Sequence, residues 1–234
     1  FEGNKPEDSG FDADAAIAAY RAFQKNRRRT APIAGAHREF LRQYRERLNR
    51  LRIVDPACGS GAFLIQALDY LTAEYRRVVA AEQRIDGEAG LFDQDTVIRS
   101  ILANNLYGVD INPESVEITK LGLWLHTATP GKPLCELDKN IRCGNSLVGP
   151  DFAAFYRARH ETLFEQADEN ERERINAFDW QDAFAAVFRD GGFDCVIGNP
   201  PYVKLQHFRR YQPDVAEYLM TANLPDGSPL YEST

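Results

Sequence analysis

The sequence predicts an α/β fold, a doubly wound and mostly parallel sheet, on three observations. Short apolar runs at 51–55, 106–110 and 193–197 read as buried strands. The stretches between them carry apolar residues at helical spacing. Each run then ends on an acid or a glycine-bearing turn. Strands that alternate with helices pair in parallel through right-handed crossovers, and such sheets bind ligands beyond the carboxyl ends of their strands.

The elements are taken in chain order. Residues 1–20 read as a loose acidic start and a short Ala-rich helix. Residues 21–52 hold eleven basic side chains and two acids, a local charge of +9. Phe40, Leu41, Tyr44 and Leu48 share one helical face there and leave the arginines outward, as a solvated face or, alternatively, a contact to a DNA backbone. After the first strand comes the turn Pro56-Ala57-Cys58-Gly59-Ser60-Gly61. Leu64, Leu68, Leu71, Tyr75 and Val78 then repeat at four, three, four and three. Asp86-Gly87 breaks that helix, and a second, about 91–104, leads into the strand at 106–110. The next helix has Asn112 as cap, Pro113 in its first position and Glu114 on the favourable end of the dipole. Its buried side is expected from Val116, Ile118, Leu121, Trp124 and Leu125. A third strand is expected at about 138–143, and residues 151–189 read as two helices around a charged middle at 168–174. In domain terms, residues 1–50 are a helical segment and 51–234 a single domain with a helical insertion at 151–189.

Composition bounds the function. The 234 residues are 44% hydrophobic, enough for a real core, and 11% aromatic, which argues against a disordered chain. No apolar run approaches the roughly 18 residues of a membrane span. A net charge of −7 excludes a uniformly basic nucleic-acid binder, though not an enzyme with a local basic surface. Cys58, Cys135, Cys143 and Cys195 form no C-x-x-C pair and stand at no zinc-like spacing to a histidine. They read as buried free thiols of a reducing cytoplasm, with no metal site. A start at Phe1 without a signal segment reads as a piece of something longer.

Two strand ends carry the chemistry. Gly59 and Gly61 let backbone approach a ligand and open a helix N-terminus. The turn fails as a G-x-G-x-x-G fingerprint, because Leu64 stands at the third glycine position. Asp110, closing the second strand, suits two ribose hydroxyls, since a carboxylate accepts both hydrogen bonds; a helix cap or a solvated strand end is the alternative. Asn199-Pro200-Pro201-Tyr202 is more specific. Two prolines remove two N–H donors and hold the chain extended. The Asn199 side-chain oxygen and the Pro200 carbonyl remain as acceptors, with Tyr202 as a flat face. That set suits a planar amino group, whose two N–H bonds it can accept while the aromatic face stacks on the ring. A rigid structural turn is the alternative.

These residues carry a family resemblance. The segments Asp55-Pro-Ala-Cys-Gly-Ser-Gly-Ala-Phe63, Leu106-Tyr-Gly-Val-Asp-Ile-Asn112, Asn140-Ile-Arg-Cys-Gly-Asn-Ser146 and Gly198-Asn-Pro-Pro-Tyr202 stand in the order of the adenine-specific DNA methyltransferases of restriction-modification systems. The chain most resembles the large type II enzymes that join methylation and cleavage. The resemblance implies a Rossmann-like methyltransferase sheet, truncated after its fourth strand. S-adenosylmethionine would lie along Asp55, Pro56, Ala57, Cys58, Gly59 and Gly61, with Asp110 on the ribose, Ile111 against the adenine and Asn145 at the adenine amino group. Asn199 and Pro200 would accept the N6 amino group of a flipped target adenine, on a backbone stiffened by Pro201 and with Tyr202 stacked on the ring. Double-stranded DNA is the implied partner, held mainly by regions outside this chain. The family's upstream Tyr-Thr-Pro segment and a nuclease-like carboxylate cluster are not found, so the chain alone is expected not to methylate DNA. Two other readings remain: methylation of a protein glutamine amide or an RNA guanine, and a non-catalytic cofactor-binding scaffold.

Overall fold

A computed structural model describes residue 18 and residues 35–86, 93–127, 134–159, 174–200 and 209–221. Its centre is a parallel sheet of β1 (Ile53–Asp55), β2 (Leu106–Asp110), β3 (Ile141–Cys143) and β4 (Cys195–Val196), in the order β3-β2-β1-β4. Ile53 pairs with Leu106 and Cys195, and Gly108 pairs with Ile141, so all four strands end near one rim. This is the expected doubly wound α/β architecture. Adjacent residues point to opposite faces of a strand, and the core divides accordingly.

On one face Ile53, Leu106 and Ile141 pack under four helices. These are α1 (Gly35–Arg50), α2 (Ala62–Asp86), α3 (Gln94–Asn104) and α4 (Pro113–Thr127). The predicted stripe of α2, from Leu64 to Val78, is buried throughout, and α1 buries Leu41 and Leu48. On the other face Val54, Tyr107 and Val109 meet Phe178, Phe184 and Val187. That layer comes from the short helices α6 (Trp180–Ala183) and α7 (Ala185–Arg189), which come after α5 (Phe152–Arg159) in the chain. The charged middle of the 151–189 stretch falls almost wholly outside the described residues. A smaller cluster joins Val148, Phe152 and Ile175 to Val215 and Tyr218 of α8 (Pro213–Thr221). Among the described residues no helix is long and apolar enough to cross a membrane.

Three strands are shorter than expected, for local reasons. Leu51 is tied back to the last turn of α1, its N–H donating to the Arg47 carbonyl at 3.0 Å. Residues 138–140 form a turn, in which the Asn140 N–H donates to the Leu137 carbonyl. β4 is not the buried strand its composition suggests: Cys195 and Val196 are both exposed, because among the described residues no strand pairs on its outer side. Polar side chains tie the joints. Asn105, fully buried, donates through Nδ2 to the Leu48 and Leu51 carbonyls at 2.7 Å each, fixing the end of α1 to the start of β2.

The buried side of α4 differs from the expectation. Val116 is buried, but Ile118, Leu121 and Leu125 are more than half exposed, and Trp124 is half-buried with its indole N–H on the Cys135 carbonyl. The inward positions are Val116, Thr119, Lys120 and Leu123, at spacings of three, one and three. Thr119 is held by the first turn, and Lys120 lies between Glu117 and Asp138 at 2.9 and 2.6 Å. Polar residues with specific partners thus occupy the inner side and turn three apolar ones outward. Leu64→Ala should therefore lower the unfolding free energy by about 2–5 kcal/mol, whereas Leu121→Ala should change it by less than about 0.5 kcal/mol; urea unfolding of the two variants checks this.

Candidate functional site

Asp55, Asp110, the 144–146 segment and the 198–200 segment all lie at or just past the carboxyl ends of the four strands. The turn after β1 is the most constrained of them. Cys58 donates its N–H to the Val109 carbonyl at 3.0 Å, Gly61 donates to the Cys58 carbonyl at 2.7 Å, and Ile65 donates back to the Gly61 carbonyl to open α2. Gly59 and Gly61 have φ of +53° and +82°, which L side chains rarely adopt. A Cβ on Gly59 would meet nothing within 4 Å, so this peptide faces open space. A Cβ on Gly61 would lie 2.9 Å from Thr119 Cγ2. The turn thus lies open at Gly59 and packed tight at Gly61.

Gly59 is gripped on both sides. Its N–H donates to Asp110 Oδ2 at 2.8 Å, and its carbonyl accepts from the Thr119 hydroxyl at 2.8 Å. Asp110 Oδ1 accepts from the Asn112 N–H at 2.9 Å, and Asn112 in turn caps α4 through the Glu114 N–H at 2.8 Å. Each Asp110 oxygen therefore takes one N–H and keeps a lone pair for a further donor. Ile111 beside it is 49% exposed, an apolar surface at the strand end.

Asp55 is 1% exposed, yet only half satisfied. Oδ1 accepts from the Ala57 N–H at 3.0 Å, while Oδ2 is buried with no partner among the described residues. Burial pushes its carboxyl above the ordinary carboxylate value; the Ala57 bond opposes this, and the nearby Asp110 charge adds to it. Gly198 closes over the group. A Cβ there would come within 2.6 Å of Asp55 Oδ1, and its φ of +150° also favours glycine. The segment leading into Asn199 thus packs directly on the acid of the first turn.

The predicted residues fall into three groups. Asp55, Pro56, Ala57, Cys58, Gly59, Gly61, Asp110 and Ile111 come together around one turn. Asn199 and Pro200 stand exposed at the adjoining strand end, past Gly198, while Pro201 and Tyr202 lie outside the described residues. Asn145 is buried and turned inward: its Oδ1 accepts from the Leu147 N–H at 3.2 Å, and its own N–H donates to the Asn176 carbonyl. It organises its own loop. Of the cysteines only Cys58 is buried, with its thiol pushed up to about 12 by that burial, whereas Cys135 and Cys143 are half-buried and Cys195 is exposed, against the expectation of four buried thiols. All four are free, and among the described residues no cluster of His, Cys, Asp and Glu could hold a metal ion. Thr119 is a site residue outside the sequence motifs, and Gly198 one to which the motif containing it assigns no role. The signal for Thr119 is a hydroxyl on the inner side of an otherwise apolar helix pattern, and for Gly198 its place directly before the Asn-Pro-Pro-Tyr turn.

A four-stranded parallel sheet with helices on both faces and a glycine turn at its carboxyl rim defines a Rossmann-like protein of the methyltransferase type. The chain belongs to the Eco57I restriction-modification methylase family, which it matches over residues 104–226. It is 38% identical over 122 residues, 48% of its length, to a Methanocaldococcus jannaschii protein described as a type II restriction enzyme and methyltransferase. It is 28% identical over 180 residues, 69% of its length, to the type II restriction enzyme and methyltransferase RM.Eco57I of Escherichia coli. Similarity to the adenine-specific methyltransferase PglX of Streptomyces coelicolor is 28% identity over 169 residues, 67% of the chain. The matches span only 10%, 15% and 12% of these relatives' own lengths.

The turn makes two effects measurable. Thr119→Val leaves the Gly59 carbonyl without its donor and should lower stability by about 1–3 kcal/mol, with Thr119→Ser restoring most of it in denaturant titration. The raised carboxyl of Asp55 means that the folded state binds its proton more tightly than the unfolded chain. This group therefore lowers stability as pH rises above the ordinary value of 3.8, and the loss is complete once pH passes the folded value. The unfolding free energy of Asp55→Asn, measured against that of the unsubstituted protein, should therefore increase from pH 3 to pH 7.

Proposed function

We propose that this chain is the cofactor-binding and catalytic portion of an S-adenosylmethionine-dependent DNA methyltransferase that modifies the N6 amino group of a flipped adenine, within a restriction-modification enzyme. The observation that carries the proposal is the packing of Gly198 on Asp55. It sets the exposed acceptors Asn199 and Pro200 beside the glycine turn, so that an amino group and a donor held there adjoin. In the same reading residues 1–50 are a helical lead-in, and residues 51–234 form the catalytic domain with its insertion at 151–189.

The residues present fit the cofactor. The unpartnered Asp55 Oδ2 is a buried acceptor that a cationic donor would satisfy, and the open space at Gly59 lets a ligand approach the backbone. Asp110 retains lone pairs for the ribose hydroxyls, and the exposed Ile111 offers the adenine an apolar surface. Asn145, already engaged by Leu147, would share its oxygen with the adenine amino group. When bound, S-adenosylmethionine supplies a methyl group on a sulfonium sulfur that departs as a neutral thioether.

The chain's own groups act on the acceptor. Asn199 Oδ1 and the Pro200 carbonyl accept hydrogen bonds from the two amino N–H groups, which draws electron density onto nitrogen and favours the tetrahedral geometry of attack. In this reading Pro201, which has no N–H to donate, would stiffen the backbone and Tyr202 would stack on the ring. No base is needed before attack; the proton leaves afterwards to solvent, to which Asn199 is open. Adenine N6 is occupied by pairing within the duplex, so the base must leave the stack.

In the full-length protein, methyl transfer from labelled S-adenosylmethionine should appear on adenine in duplex DNA. Label found only in protein glutamine or RNA guanine rejects the DNA assignment. Asn199→Ala should lower the transfer rate by at least about a hundredfold while changing cofactor affinity less than about threefold in calorimetry. Transfer that survives the substitution removes Asn199 from the acceptor site.

A further inference from the structure

The loop after β3 is held by a second segment of the chain, and the hold runs through Asn176. Its φ of +50° is left-handed, and among the described residues it is the only position other than glycine with a positive φ. Asparagine enters this region more readily than most L residues. With that turn its carbonyl accepts from the Asn145 N–H at 2.6 Å. Its side-chain amide donates to Cys143 Sγ at 3.4 Å, and the Cys143 thiol donates in turn to the Ile111 carbonyl at 3.5 Å. Sulfur makes each of these bonds weak, but they run in series. One residue thus reaches Asn145 through its backbone and Ile111 through its side chain.

The segment that carries Asn176 is anchored on both sides. Ile175 is buried in the cluster of Val148 and Phe152, and Phe178 in that of Val54, Tyr107 and Val109. Between these anchors the chain runs parallel to the β3 loop, with Asn145 bridged to Ala177. The Phe178 N–H donates to the Val148 carbonyl at 2.8 Å, and the Trp180 indole N–H to the Ser146 carbonyl at 3.1 Å. The approach leaves no room at Gly144, where a Cβ would come within 2.3 Å of Phe178 Cδ2. Asn145 Oδ1 accepts from the Leu147 N–H at 3.2 Å, which uses one of its two lone pairs.

We infer that Asn176 is a positioning residue for recognition of the cofactor's adenine. It holds Asn145, the acceptor for the adenine amino group, in register with Ile111, the apolar surface for the ring. The inference rests on the functional reading above and adds to it a residue that acts through two others. A single contact to an amino group discriminates only when its acceptor is fixed. An Asn145 free to turn would present its Nδ2 to the oxygen of hypoxanthine and serve both bases alike.

The experiment is calorimetric titration of the full-length protein with S-adenosylhomocysteine and with S-inosylhomocysteine, whose base carries an oxygen in place of the amino group. The unsubstituted protein should prefer the adenosyl compound. Asn176→Ala loses the amide and disfavours the left-handed turn, and should lower that preference at least about fivefold. Asn176→Gly keeps the turn and loses only the amide, and should lower it about two- to threefold. Urea unfolding of both variants reports any general loss of stability. An unchanged preference in Asn176→Ala, or an equal loss of affinity for the two ligands, marks a merely structural residue and overturns the inference. Should the alanine variant fail to fold, the same outcomes in Asn176→Gly overturn it. An unsubstituted protein that binds both compounds alike also overturns it and leaves the methyltransferase reading intact, whereas one that binds neither overturns both.

Discussion

One residue, Gly59, carries the organisation of the rim. Its N–H is held by Asp110 at the end of β2 and its carbonyl by Thr119 on α4. The turn after β1 is therefore shaped by the β2–α4 unit rather than by its own sequence. Both bonds are 2.8 Å long and part-buried, so an unmade partner there is costly. Gly61 is a consequence, since Thr119 can reach the Gly59 carbonyl only if nothing larger than hydrogen stands between the two elements. Gly108 plays the same part below, leaving room for Cys58 and Leu64.

The same neighbourhood holds the least satisfied group in the site. Asp55 is buried with one oxygen unpartnered, beside a second carboxylate and under a glycine that admits no side chain. A core built only for stability would not keep a half-paired acid at that place. The strain is local, because the surrounding layers are well packed on both faces of the sheet, and it is of the sort that a bound cationic donor relieves.

Electrostatics sort the chain into two kinds of basic surface. On α1, Arg42 pairs with Glu39 and Glu46 and Arg45 reaches Glu82 on α2, ion pairs of small individual worth. Arg209 and Arg210, exposed ahead of α8, have no carboxylate partner among the described residues. A net charge of −7 is thus compatible with an anionic partner, because the total says nothing of where acids and bases meet.

Most of the fold was legible in the residues. The Leu64-to-Val78 stripe, the Asn112 cap and the apolar runs ending in Asp55 and Asp110 are local patterns, and local patterns arise from helix and strand geometry alone. The candidate residues around the first turn were legible too, because glycines and acids at strand ends have few other uses. The inner side of α4 was not. Ile118, Leu121 and Leu125 have the right period but the wrong side, since the positions facing inward carry Thr119 and Lys120 with partners on elements distant in the chain. Likewise Asn145 was legible as a polar residue at a strand end, while the direction of its oxygen depended on Leu147 and on the segment near Asn176. Sequence by itself determined which elements form and which chemistry they carry to the rim. Only the tertiary structure decided which of those groups are already occupied and which remain open, because a hydrogen bond or ion pair across the fold depends on distances that no spacing along the chain records.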